Sequence, residues 1–418
     1  MEDKHFHRAL ILLEQSRHDL AEQELRLALA ADPDHGSAHA FLAQCLLERD
    51  QFHEATEEAK AAIRLAPDFP FAHAVLARTL AARNRPKEAL VSAEEALRLD
   101  PVDADHYALL ATIHLQSRNW PSALAAAEEG LVHDAEHVGC NNLRAMALTN
   151  LGRTAEAGAT IAAALSRSPE DPFSHANRGW TALHEHDTKK ALEHFREALR
   201  LDPELDFAKA GLVEALKARN PIYGLMLRYF LFMSRLSGQT QWAIVIGGYL
   251  AFQFLRKLGA ENPEWAPWIK PFIVAYIVFA LMTWIASPLF NVMLRFNKYG
   301  RYALSDDQRR GANLVTLVAL PALVFLAWWL PTDDPYAFVG LIYFGLLLLP
   351  VSAIYNCDSG WPRRAMALYT VVLATLMPIS LFITQNRDFA IFCFQAHLWG
   401  SLLSGIVANI LVTTRAKR

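Results

Sequence analysis

The sequence is sparing with cysteine. Four residues, Cys45, Cys140, Cys357 and Cys393, are spread over 418 positions with no CxxC pair, which excludes a disulfide framework and a zinc knuckle. The N-terminus, MEDKHFHRALILLEQ, lacks a long apolar core with a small-residue cleavage site, so no signal peptide is expected. A basic surplus is missing where nucleic acid would need one. Of the 40 Lys and Arg only 16 lie beyond residue 220, and of the 43 Asp and Glu only 8. The first half is thus about −11 and the second about +8, a split that the total of −3 conceals. An acidic first half argues against phosphate binding. Histidine is almost absent from the second half, which holds only His397, whereas eight of the ten tryptophans lie beyond residue 240. Two unlike domains are therefore expected.

What the first half has is a beat. Proline recurs every 34 residues, at Pro33, Pro67, Pro101, Pro169 and Pro203, and Ala135 holds the one missing place. With proline at position 32 the units are 2–35, 36–69, 70–103, 104–137, 138–171 and 172–205. Position 20 is then alanine in all six: Ala21, Ala55, Ala89, Ala123, Ala157 and Ala191. Positions 8 and 27 are alanine or glycine throughout. Antiparallel helices approach closely only where neither carries bulk, so each unit reads as a helical hairpin. Period, small-residue positions and terminal proline together resemble the tetratricopeptide repeat family. The resemblance implies a superhelical solenoid, with residues 206–219 as the extra helix that covers the last repeat.

The same resemblance implies an inner groove lined by positions 5 and 9 of each first helix. Position 9 reads Leu10, Gln44, Arg78, Thr112, Met146 and Trp180. Position 5 supplies Phe6 and Asn142 among alanines. Relatives that grip the carboxylate tails of chaperones line this groove with Lys, Asn and Arg, and this chain does not. A mixed lining suits an extended or helical segment of a protein partner. The alternative is that the groove packs on the chain's own second half.

Two histidine patterns stand in the first half. His133-Asp134-Ala135-Glu136-His137 spells HxxEH, but zinc chemistry needs both histidines on one continuous helix, and the repeat phase places this stretch across a turn. His175, His184, His186 and His194 read as surface positions of the sixth repeat. No metal or cofactor is expected.

Beyond Pro221 come six apolar stretches, roughly 239–255, 270–294, 312–330, 336–355, 365–384 and 389–412. Five are long enough for a hydrocarbon core of about 30 Å; the first is short. Arg295, Lys298, Arg301, Arg309 and Arg310 lie between the second and third stretches, Arg363 and Arg364 precede the fifth, and Arg415, Lys417 and Arg418 close the chain, whereas 331–335 (PTDDP) holds no basic residue. Six spans with both termini in the cytoplasm put every basic cluster inside except Arg256, Lys257 and Lys270. The expected fold is all-α: six repeats and a cap helix (1–219), an interfacial linker helix (220–237), then a six-span transmembrane helix bundle (238–418). The linker's Arg228 and Arg235, seven residues apart, share one helical face as an in-plane helix requires.

Four stretches hold an interior proline, Pro288, Pro321, Pro350 and Pro378, each of which bends a helix. In the last stretch His397, Ser401, Gly405 and Asn409 recur every four residues as one small or polar stripe, which should face protein rather than lipid. Residues 396–400 (AHLWG) resemble the sixth helix of rhomboid proteases, but the GxSG serine that this chemistry requires is nowhere in the chain, and Ser352 is followed by Ala353. Without a nucleophile the histidine has nothing to activate. Dense charge pairs within the spans, the mark of ion or proton transport, are also lacking. The expected function is a membrane-anchored scaffold at a bacterial-type inner membrane that recruits a protein partner, rather than an enzyme. The rival is a multi-pass membrane enzyme or transporter with a regulatory repeat domain, with His397 as its best residue.

Overall fold

The computed structural model describes residues 4–236, 238–295, 304–383 and 387–415; Lys298, Arg301, Lys417 and Arg418 lie outside them. Among the described residues all regular structure is helical. The chain divides into two compact units, Met1–Glu185 and His186–Ala416, and the boundary falls inside the sixth repeat.

In the first unit the first helices of the repeats are α1 (Lys4–Glu14), α3 (Gly36–Glu48), α5 (Pro70–Ala82), α7 (Ala104–Gln116), α9 (Val138–Asn150) and α11 (Pro172–His184). Between them run the second helices α2 (His18–Ala31), α4 (Phe52–Leu65), α6 (Pro86–Leu99), α8 (Trp120–His133) and α10 (Thr154–Arg167). In the first five repeats the first helix packs on its own second helix, and α3, α5, α7, α9 and α11 also pack on one another in succession. The alanines read from the sequence form the seams: Ala21, Ala55, Ala89, Ala123 and Ala157 are fully buried. Gly130, at a position that is alanine in most units, is explained by its neighbour. A Cβ there would stand 2.6 Å from Cys140 Sγ and 2.9 Å from Tyr107 Cβ.

Two backbone devices repeat with the period. The residue at position 15 turns each hairpin with positive φ: Ser16 (57°), Asp50 (59°), Asn84 (55°), Arg118 (56°), Gly152 (81°) and His186 (64°). Only one of the six is glycine, although a left-handed residue with a side chain costs about 1–2 kcal/mol. The second device closes the turn between repeats. A polar side chain at position 4 donates to the carbonyl six residues earlier: His39 to Pro33 (3.0 Å), His73 to Pro67 (2.9 Å), Tyr107 to Pro101 (3.1 Å), Asn141 to Ala135 (3.4 Å) and His175 to Pro169 (3.0 Å). His175 is therefore part of this lock.

The second unit opens with α12 (Thr188–Leu201) and α13 (Asp206–Ala218). Gly211 admits the Phe195 ring, which a Cβ would meet at 2.2 Å. Then come α14 (Pro221–Arg235), α15 (Gly238–Glu261), α16 (Ala266–Arg295), α17 (Asp306–Thr332), α18 (Pro335–Ile354), α19 (Trp361–Ile383) and α20 (Arg387–Arg415). Asn220 caps α14, its Oδ1 accepting from the N–H groups of Ile222 and Tyr223. Lys217, only 2% exposed, is held by Glu214 (3.0 Å) and by Ser287 Oγ of α16 (3.2 Å). Its ammonium lies 5.3 Å from the Tyr223 ring centroid, and Tyr223 packs on Phe290 of α16.

The expectation of six spans is corrected here. Among the described residues the six stretches are helical, but four helices are long and apolar enough to cross a membrane by length and composition: Ala266–Thr283 within α16, α17, α18 and Asp388–Val412 within α20. Helix α15 is interrupted by Gln239, Gln241, Gln253, Arg256 and Lys257. In α19 the described side chains stop short of a span, since those of 377 and 379–383 lie outside them.

Candidate functional site

The position-9 residues follow the buried position-8 seam by one residue, about 100° around each helix. Leu10, Gln44, Arg78, Thr112, Met146 and Trp180 are all partly exposed. Thr112 turns its hydroxyl back to the Ala108 carbonyl (2.8 Å). Asn142, by contrast, is 8% exposed and fully engaged. Its amide donates to Asp171 (3.1 Å), and its oxygen accepts from Ser174 Oγ (3.1 Å) and Asn177 Nδ2 (2.9 Å). It therefore ties α9 to α11.

At the N-terminal end the row meets an aromatic file that sequence reasoning missed. Phe6 stacks against His35 (4.6 Å between centroids) and Phe41 (5.8 Å), and Phe41 against Phe71 (4.7 Å). Arg78 lies over the Phe71 ring at 5.9 Å. Burial pulls its guanidinium below the ordinary arginine range, against the opposing charges of Asp105 and Glu48. Among the described residues no carboxylate comes within ion-pair distance of it, so its five donors are not consumed by the fold. The signal for the file was phenylalanine at positions 5, 6 and 2 of successive units, which does not recur with the period. A separate cleft of about 180 Å³ lies between α9, α10 and α11, lined by Glu136, Asn141, Arg167 and Asp171 among others; none of the row lines it.

The HxxEH stretch is split. His133 ends α8 and stacks on Tyr107 (5.2 Å), whereas His137 caps α9 with Nδ1 and donates from Nε2 to Asp105 (3.2 Å). The two histidines do not share a helix.

In the apolar helices His397 is fully buried with both ring nitrogens on carbonyl oxygens, Nδ1 3.1 Å from Leu373 and Nε2 3.1 Å from Tyr343. Around it Tyr343 donates to the Ala374 carbonyl, which Pro378 leaves without a helical donor, and Tyr369 donates to the Gly400 carbonyl (2.7 Å). The imidazole thus clasps α18, α19 and α20. Ser352 donates to the Leu349 carbonyl (2.8 Å). Ser401 and Gly405 are buried with His397, but Asn409 is exposed and Ala408 takes the next buried place. A spacing of four gains about 40° per step, so by Asn409 the stripe has drifted about 120°, whereas eleven residues nearly complete three turns.

Tetratricopeptide repeat models match residues 12–79, 74–137 and 172–205. No curated protein sequence matches the chain. Among solved structures it is similar to YrrB, a TPR protein with an unusual peptide-binding site, at 21% identity over 44% of this chain and 95% of that one, with a TM-score of 0.33. It is similar to PilW, a widely conserved type IV pilus biogenesis factor, at 17% identity over 50% and 96%, with a TM-score of 0.44. For Pseudomonas aeruginosa pilF the values are 20%, 49%, 94% and 0.41. Three family matches laid on a 34-residue period of helical hairpins identify the first half of this chain as an array of the tetratricopeptide repeat superfamily.

Proposed function

We propose that the protein is a membrane-anchored scaffold that holds a segment of a partner protein along the row Leu10, Gln44, Arg78, Thr112, Met146 and Trp180, with Phe6 at its end. The observation that carries this function is Arg78, a half-buried guanidinium beside Phe71 with no carboxylate in ion-pair reach among the described residues. Such a group is costly unless a ligand completes it, and an aromatic file next to it suits a partner with an apolar side chain adjoining an acidic group or a free carbonyl. Asn142 supports the groove from beneath.

Residues 1–219 are then the recruiting arm, 220–237 the connection and 238–418 the anchor. Charge supports a cytoplasmic arm in an inner membrane. Arg295, Arg309, Arg310, Arg363 and Arg364 gather at helix ends opposite the Asp333-Asp334 turn of α17 and α18, as the preference for cationic residues on the cytoplasmic side requires. Helices α13 and α14 lean on Ser287 and Phe290, at the same end of α16 as Arg295.

A photo-crosslinking residue placed at Met146 in the full chain, in native membranes, should yield a discrete protein adduct that Arg78→Ala removes. The same residue at Val132, 74% exposed on α8, should not yield it. Identical adducts at both positions would overturn the assignment.

A further inference from the structure

From the second repeat onward position 3 is a buried place for a small side chain: Ala38, Ala72, Cys140, Ser174 and, in the covering helix, Ala208 are 0–1% exposed. The exception is His106, in the first turn of α7, which is 6% exposed. Its Nε2 is buried and has no hydrogen-bond partner among the described residues. An imidazole nitrogen placed so loses its water without recompense. That nitrogen points at carboxylates. Asp103 Oδ2 lies 3.8 Å away, too far for a hydrogen bond, and ligand atoms of Asp100, Asp103 and His106 all lie within 4.8 Å of one another. Asp100 ends α6 and Asp103 caps α7 through its other oxygen, which accepts from the Asp105 N–H (2.9 Å).

We propose that Asp100, Asp103 and His106 form a site for a divalent transition-metal ion of the zinc class, bridging the third and fourth repeats. One imidazole nitrogen and two carboxylate oxygens suit borderline cations. A tetrahedral ion about 2.0–2.1 Å from each ligand would space them by about 3.4 Å, which small rotations of the two partly exposed aspartates supply. Solvent reaches the site from the aspartate side, so water completes the coordination. The residues stand at i, i+3 and i+6 around the turn, and the array repeats that combination at no other junction. The next junction offers Asp134, His137 and Cys140, but there both imidazole nitrogens and the thiol are already bonded. Metal binding departs from the expectation drawn from cysteine spacing, because this set uses no cysteine. It is independent of the groove.

The test is titration of the full-length protein in detergent with Zn2+ by calorimetry, with Co2+ absorption as a second probe, for the wild type, His106→Ala, Asp100→Asn and Asp103→Asn. The wild type should show one binding event lost in His106→Ala and weakened at least tenfold in each asparagine variant. Zn2+ should raise the Tm of the wild type only. Without metal, His106→Ala should be at least as stable as the wild type, since alanine fills this place elsewhere. Should it not fold, the asparagine variants carry the test alone. Zinc uptake by the other histidines appears equally in all four proteins. Isotherms and Tm shifts that match across the wild type and the variants, or a wild type that takes up no zinc, would overturn the site.

Discussion

The Nε2 of His73 donates to the carbonyl oxygen of Pro67, 2.9 Å away, and this one bond explains why proline and a position-4 donor keep time together. Proline ends the second helix of one unit and leaves its carbonyl facing the next first helix. The donor at position 4 binds it and sets the angle at which the next hairpin leaves. Replacing the donor while keeping the ring, His73→Phe, should lower stability by about 1 kcal/mol, the net worth of such a bond. Amide exchange at the start of α5 should rise more than at the start of α9.

The left-handed residue inside each hairpin makes the opposite prediction. Arg118 sits at φ 56° where Gly152 sits without strain. Arg118→Gly should stabilise the array by roughly 0.5–1 kcal/mol, because the relief of the left-handed conformation exceeds the entropy that glycine adds to the unfolded chain. Thermal unfolding of the two proteins compares them directly, and a lower Tm in the variant would refute the account.

Gly130 and Cys140 are coupled by contact. Gly130→Ala should cost about 1–3 kcal/mol through overpacking against the sulfur. In a Cys140→Ala background, which restores the alanine of other repeats, the same change should cost markedly less. A double-mutant cycle in denaturant reads the coupling; additive effects would contradict it.

Glu22 governs an acid-sensitive contact. Burial pushes its carboxyl up, but hydrogen bonds from Arg26 and Arg49 outweigh it and hold the group below the ordinary carboxylate range. A depressed folded-state value contributes stability that is present above the unfolded pKa of about 4.3 and is lost as the pH falls through the folded value. Glu22→Gln should therefore lower Tm at pH 7, and the gap from the wild type should close as the pH falls below about 4. A gap that stays constant with pH would show that charge is not its cause.

Much of the fold was legible because the repeat sets its own ruler. A single period located the paired helices of the first five repeats, their alanine seams and the covering helix. The left-handed turns were not legible, since Ser16, Asp50, Asn84, Arg118, Gly152 and His186 share a backbone shape but no side-chain chemistry. The position-4 donors escaped for a related reason: histidine, tyrosine and asparagine do the same work there. The polar stripe of the last helix was read with a spacing of four, which is right over two turns and wrong over three, so His397 and Ser401 lie buried and Asn409 does not. The count of six spans rested on the placement of basic residues, because the first stretch is short, and the glutamines and Arg256-Lys257 of α15 leave it outside the four helices that are long and apolar enough among the described residues.

Local sequence determined what period and small side chains can dictate by themselves: helices, their lengths and the faces on which they meet. Tertiary structure alone decided which polar groups find partners. Asn142 is consumed by Asp171 and Ser174, Arg78 is left to an aromatic ring, and His106 is left with an unmatched nitrogen beside two carboxylates. The physical reason is that helix formation follows from neighbours along the chain, whereas the satisfaction of a buried donor or acceptor depends on groups brought to it from other turns and helices.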